Sequence, residues 1–342
     1  MSTSEAKATA KVRPSRDASP RDPVEYVWGF RRSRMWLADV GLSRLRAVAG
    51  EGHVVGFGVL ASGELGVLRC HHDAPRLEVQ NLVRGSCEFV CDLREMLGPG
   101  ARPVKHAWPL RWHPRTGEIA IEVYDDERRV EVVLIEPGRG IVSKLEVPES
   151  HTVIDVSYAA GLIALNDRRD TRPILVDFAG DVRARSKLPC EHHRHRALSP
   201  SGALMNLRFG AWACVWRWAD DQKVWSEELV HGAVGWGPSD VLAYVRDGYA
   251  AMTWDAQTDE RTTLLELESM RSDRAKRLIV SEPAITPDGR QFLFTMCPFQ
   301  THSMLDQPPE VSGFPMLAAI DLAHDELALV TSDLGNFLRY SY

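Results

Sequence analysis

One short pattern recurs along the chain and restricts the folds open to it. Trp112-His113-Pro114-Arg115-Thr116-Gly117-Glu118-Ile119-Ala120-Ile121 returns as Leu198-Ser199-Pro200-Ser201-Gly202-Ala203-Leu204-Met205 and as Ile285-Thr286-Pro287-Asp288-Gly289-Arg290-Gln291-Phe292. Trp236-Gly237-Pro238-Ser239-Asp240-Val241-Leu242 is a variant, and weaker copies begin at Leu60 and Val156. Each is an apolar residue, a tight turn rich in Pro and Gly, and an alternating apolar strand. The last turn residues fall at 63, 117, 161, 202, 240 and 289, giving intervals of 54, 44, 41, 38 and 49. A strand-built repeat of about 40–50 residues predicts an all-β chain arranged as a β-propeller.

A second signature marks the outer hairpin of each unit, where an apolar run meets a Gly/Asp-type turn and resumes. Met35 to Leu45, Leu134 to Val142, Leu175 to Val182, Trp216 to Trp225, Met252 to Glu260 and Ala319 to Leu327 carry it, and Leu82 to Cys87 is a looser copy. Seven outer hairpins therefore stand against six turn motifs. The hairpin near Asp39 has only Val24 to Phe30 before it, so its inner strand is expected from the C-terminus, around Asn336 to Tyr340. The expectation is seven four-stranded blades in one domain over 23–342, the ring closed by N- and C-terminal strands; six blades with irregular ends is the alternative. Glu260 to Lys276 and Phe89 to Leu97 could each hold a short helical turn, without clean caps.

Bulk properties narrow the function. The 342-residue chain carries 41 basic and 47 acidic residues, a formal charge of -6, which argues against nucleic acid as partner. Residues 1–22, with Lys7, Lys11, Arg13, Arg16 and Arg21 among Ser, Ala and Pro, read as a disordered basic tail, or more sharply as a docking arm. That stretch has no apolar core of a signal peptide, and no segment is long enough to insert in a membrane, so a cytoplasmic location is expected. The six cysteines lack zinc-ligand spacing and read as buried free thiols.

Leu198-Ser199-Pro200-Ser201-Gly202 and Ile285-Thr286-Pro287-Asp288-Gly289 resemble the Ser-Pro-Asp-Gly unit of WD-like, TolB-like propeller repeats. The resemblance covers 25–342 as architecture and implies a group whose members are commonly scaffolds or the propeller parts of peptidases. Two departures matter. The chain lacks the export signal of a periplasmic TolB-like protein, and no GxSxG hydrolase segment follows the repeats. The resemblance carries the fold and no functional residue.

Lettering the strands of each blade A to D, the A–B and C–D turns share one face and the B–C and D–A connections the other. The first set is short and regular. The second is polar and variable, and ligand contacts concentrate in such loops. Its B–C segments include Cys70-His71-His72-Asp73, Asp125 to Arg129 and Asn166-Asp167-Arg168-Arg169-Asp170. The longest insertion, 298–313, carries Phe299, His302, Met304, Leu305 and Val311, which suit a channel mouth or a partner. Ten of the twelve histidines fall on this face, most densely in Cys190-Glu191-His192-His193-Arg194-His195-Arg196. On an extended strand Glu191, His193 and His195 share a side, a donor set for a divalent metal. The interleaved arginines oppose a cation, so the histidines read first as anion or hydrogen-bonding contacts, with no cofactor expected. Trp112, Trp216, Trp218, Trp236 and Trp254 read as wedges between blades. Trp212, in Phe209-Gly210-Ala211-Trp212, reads as an interface anchor.

These features point to a non-enzymatic scaffold that binds a protein or peptide through Trp212, Arg168, Arg169, Phe299, His302, His192, His193 and His195. Two rivals stay open. One is a metal-dependent hydrolase or lactonase-like enzyme, or a small-molecule binder, using the central channel. The other is a purely structural subunit of a larger assembly.

Overall fold

A computed structural model describes strand segments between residues 28 and 136, then 139–167, 169–191, 197–229, 234–246, 250–266, 283–286, 289–296, 316–323 and 326–331, with a last strand at 338–339. Nearly all of it is antiparallel sheet. The first sheet is His53–Val59, Leu65–His71, Ala74–Asn81 and Ser86–Asp92. In the second, Arg102–Pro103 and Arg111–Trp112 together flank Ile119–Tyr124, followed by Val130–Glu136 and Gly140–Val147. The third is His151–Ser157, Leu162–Asp167, Pro173–Asp177 and Val182–Arg185. The fourth has Leu204–Phe209, Trp212–Arg217 and Gln222–Glu228, with Leu198 bridging to Met205 in the A position. The fifth is Val234–Trp236, Val241–Arg246, Ala250–Asp255 and Arg261–Glu266. The sixth is Ala284–Ile285, Gln291–Met296, Met316–Asp321 and Glu326–Thr331. Strands in each sheet pair in sequence order. Two shorter pairs remain: Trp36–Ala38 with Leu45–Ala47, and Trp28–Gly29 with Leu338–Arg339.

Every turn motif read from the sequence lies between an A and a B strand, and every outer-hairpin signature between the strands it was expected to join. Trp28 pairs with Arg339, so a strand near the N-terminus meets one from the C-terminal stretch around Asn336 to Tyr340. Two stretches read as able to hold a short helical turn begin as strand: Arg261–Glu266, where Thr262 and Thr263 suit an edge ladder and Trp254 sits opposite Arg261, and Ser86–Asp92; residues 267–276 lie outside the described residues.

The core runs from sheet to sheet. Ala120, Val132 and Leu134 of the second pack on Val156, Ile163 and Ile174 of the third. Ile154, Leu162 and Leu175 of the third meet Leu198, Met205 and Trp216 of the fourth. Ala213, Val215 and Trp225 of the fourth meet Trp236, Leu242 and Tyr244 of the fifth, and Ala243 and Val245 of the fifth meet Phe292, Phe294 and Ala318 of the sixth. The buried tryptophans are therefore inter-sheet wedges, as expected. Five C–D ladders carry a register shift, a bulge that increases the twist of the outer strand.

The A–B turns interlock across sheets. Ser201 of the fourth donates its backbone N–H (3.0 Å) and its hydroxyl to the carboxylate of Asp240 in the fifth. Gly202 stands against Ala160 and Ser157 of the third. The A strands are tied as well. Asp155, buried at a bulge, accepts the amides of Val156 (2.8 Å) and, across to the fourth sheet, Leu198 (2.9 Å). Trp236 Nε1 donates to the Ala197 carbonyl at 2.9 Å. Among the described residues, the A–B turns of the third, fourth and fifth sheets thus contact one another.

Candidate functional site

The opposite ends of the sheets differ. Phe209 and Trp212 face each other across the B–C hairpin of the fourth sheet and are 51% and 53% exposed. Tyr124, at the B–C end of the second sheet, is 36% exposed. These are all the exposed large aromatics among the described residues; the other exposed large apolar side chains, Val142 and Val182, lie on outer strands. Register explains the pair. Phe209 and Trp212 lie on the same sheet face as the buried Leu207, Met205 and Trp216, one step beyond the buried zone at the hairpin tip.

That tip is held from both sides. The Gly210 N–H donates to Glu191 Oε2 at 2.9 Å, and the Glu191 N–H donates to the Arg208 carbonyl at 2.7 Å. On the other flank the Leu229 N–H donates to the Ala211 carbonyl at 2.6 Å, and the Arg208 guanidinium reaches the Gly210 and Leu229 carbonyls, both at 3.4 Å. The aromatic pair is thus exposed on a hairpin whose backbone is held from both flanks.

The neighbouring B–C turn, after Asp167 in the third sheet, joins this tip through the D–A connection. The Cys190 N–H donates to the Thr171 carbonyl at 2.6 Å, and Asn166 Nδ2 donates to the Cys190 carbonyl at 3.4 Å. The Asp167 carboxylate accepts the Arg169 N–H at 2.8 Å, and that bond is the main force holding its carboxyl below the usual aspartate range. The turn leaves Arg169, Asp170 and Arg172 exposed.

Of the residues singled out from sequence, the structure brings Arg169, Glu191 and Trp212 to one face. Arg168, His192, His193, His195, Phe299 and His302 lie outside the described residues, as does the 1–22 tail. Glu191 accepts the Gly210 N–H through Oε2, while His193 and His195, read with it as a donor set, lie outside the described residues. Among the described residues no group of three or more His, Cys, Asp or Glu side chains is placed to hold a metal ion, and no helix is long and apolar enough to cross a membrane. Cys190 and Cys214 are free, and burial pushes the Cys190 thiol up to about 11, as suits a packing role. Sequence reading passed over Phe209 and Tyr124 as contacts. The available signal was position: each ends an alternating strand at the B–C side.

No family model matches the chain, and no curated protein matches it by sequence. Solved structures do resemble it. A functionally unknown protein from Desulfotomaculum acetoxidans aligns with TM-score 0.59 and 7% identity, over 93% of this chain and 99% of that one. A protein provisionally assigned as a 6-phosphogluconolactonase from Bacteroides fragilis aligns with TM-score 0.57 and 12% identity, over 95% of this chain and 100% of that one. TolB from Acinetobacter baumannii aligns at TM-score 0.49 and 12% identity; this chain is covered to 92% and spans 65% of that chain's length. The likeness is one of architecture, that of TolB-like β-propellers.

Proposed function

We propose that the chain is a seven-bladed propeller that acts as a non-enzymatic scaffold and holds a partner protein or peptide on its B–C/D–A face. The six sheets supply six blades. The seventh is assembled from Leu338–Arg339, Trp28–Gly29, Trp36–Ala38 and Leu45–Ala47, which joins the termini and leaves the ring without an open edge. One observation carries the functional reading: among the described residues the exposed aromatics lie at B–C tips, while Ser201 and Asp240 of neighbouring A–B turns bond each other. Exposed Trp and Phe in a fixed backbone are the usual anchors of a protein interface. A channel enzyme of lactonase type, the function provisionally given to the Bacteroides fragilis protein, rests on shared fold alone.

The experiment is capture from native lysate on immobilised full-length chain, beside a Phe209→Ala/Trp212→Ala variant. We expect a specific protein to be retained by the parent and lost by the variant. The variant's melting temperature should stay close to the parent's, because both side chains are half in water already. Equal capture by the two proteins refutes this location of the site.

A further inference from the structure

We draw no further inference here: the strongest candidate, the exposed Phe209–Trp212 pair at the B–C tip of the fourth sheet, belongs to the docking face already described, and nothing in the structure shows what covers it, since the described arginines around the tip are matched by aspartates and glutamates.

Discussion

Two glycines with nearly the same backbone give a direct test of the interlocked turn face. Gly161 has φ +65° and Gly202 φ +74°, both in A–B turns. A Cβ on Gly161 meets nothing within 4 Å, whereas on Gly202 it falls 2.4 Å from Ala160 Cβ and 2.5 Å from Ser157 Oγ. Replacing either by alanine incurs the left-handed penalty, about 1–2 kcal/mol. Gly202→Ala adds overpacking against a neighbouring sheet, about 1–3 kcal/mol, for a total near 2–5 kcal/mol. The surroundings cannot simply withdraw. The Ser157 hydroxyl accepts the Ala160 amide at 3.3 Å, and Trp218 Nε1 holds the Gly202 carbonyl at 2.8 Å. Urea unfolding followed by tryptophan fluorescence measures both variants. Gly202→Ala should be the less stable by about 1–3 kcal/mol, and adding Ala160→Gly should recover part of that difference but not the Ser157 share. Equal destabilisation of the two alanine variants would refute the claim that successive turns pack against one another.

The outer hairpins give a second test. Asp259, at φ 58°, accepts Trp254 Nε1 at 2.8 Å. Asp259→Asn keeps an acceptor and tolerates that backbone, so it should cost under about 1 kcal/mol in the same assay. Asp259→Ala strands a largely buried indole N–H and should cost about 2–3 kcal/mol; similar losses for the two would refute the bond's role. A third concerns acid. Asp177 is held below its ordinary 3.8 chiefly by the Asp181 amide, with Arg183 assisting, and Asp221 chiefly by Lys187. Depressed carboxyls contribute stability that is complete above the ordinary aspartate value and lost as pH falls through the folded values. Melting temperature should therefore hold at neutral pH and fall as pH drops below about 4. The fall should be shallower in Asp177→Asn/Asp221→Asn, and an unchanged profile would count against these two groups.

The architecture was legible because its signals are local. A Pro/Gly turn followed by apolar alternation needs only about ten neighbouring residues to be recognised, and it repeats. Counting hairpins against turns also raised the idea of a C-terminal inner strand, and Trp28 does pair with Arg339. The site was less legible because it is made by register and by contacts between sheets. That Phe209 shares the exposed end with Trp212 depends on a one-to-one ladder from Leu204 to Phe209. That Glu191 accepts the Gly210 amide depends on where Gly210 lies in the next unit. Asn166, read as part of a polar loop, is a buried strand residue bonded to the Cys190 carbonyl.

The two ends of these sheets divide the work of the fold. At the A–B end, Asp240 reaches Ser201, Asp155 reaches Leu198 and Gly202 abuts Ala160, so each polar group spans a boundary between sheets. A sheet stacked only on apolar faces can slide; such directional bonds fix its angle to the next. The B–C end then has no need to hold the sheets together. Its turns are tied through Thr171, Cys190, Glu191 and Leu229, while Arg169, Phe209 and Trp212 stay exposed. Substitutions at Phe209 or Trp212 should therefore leave the packing between sheets intact. That separation lets one repeat architecture accept different partners by varying a single face.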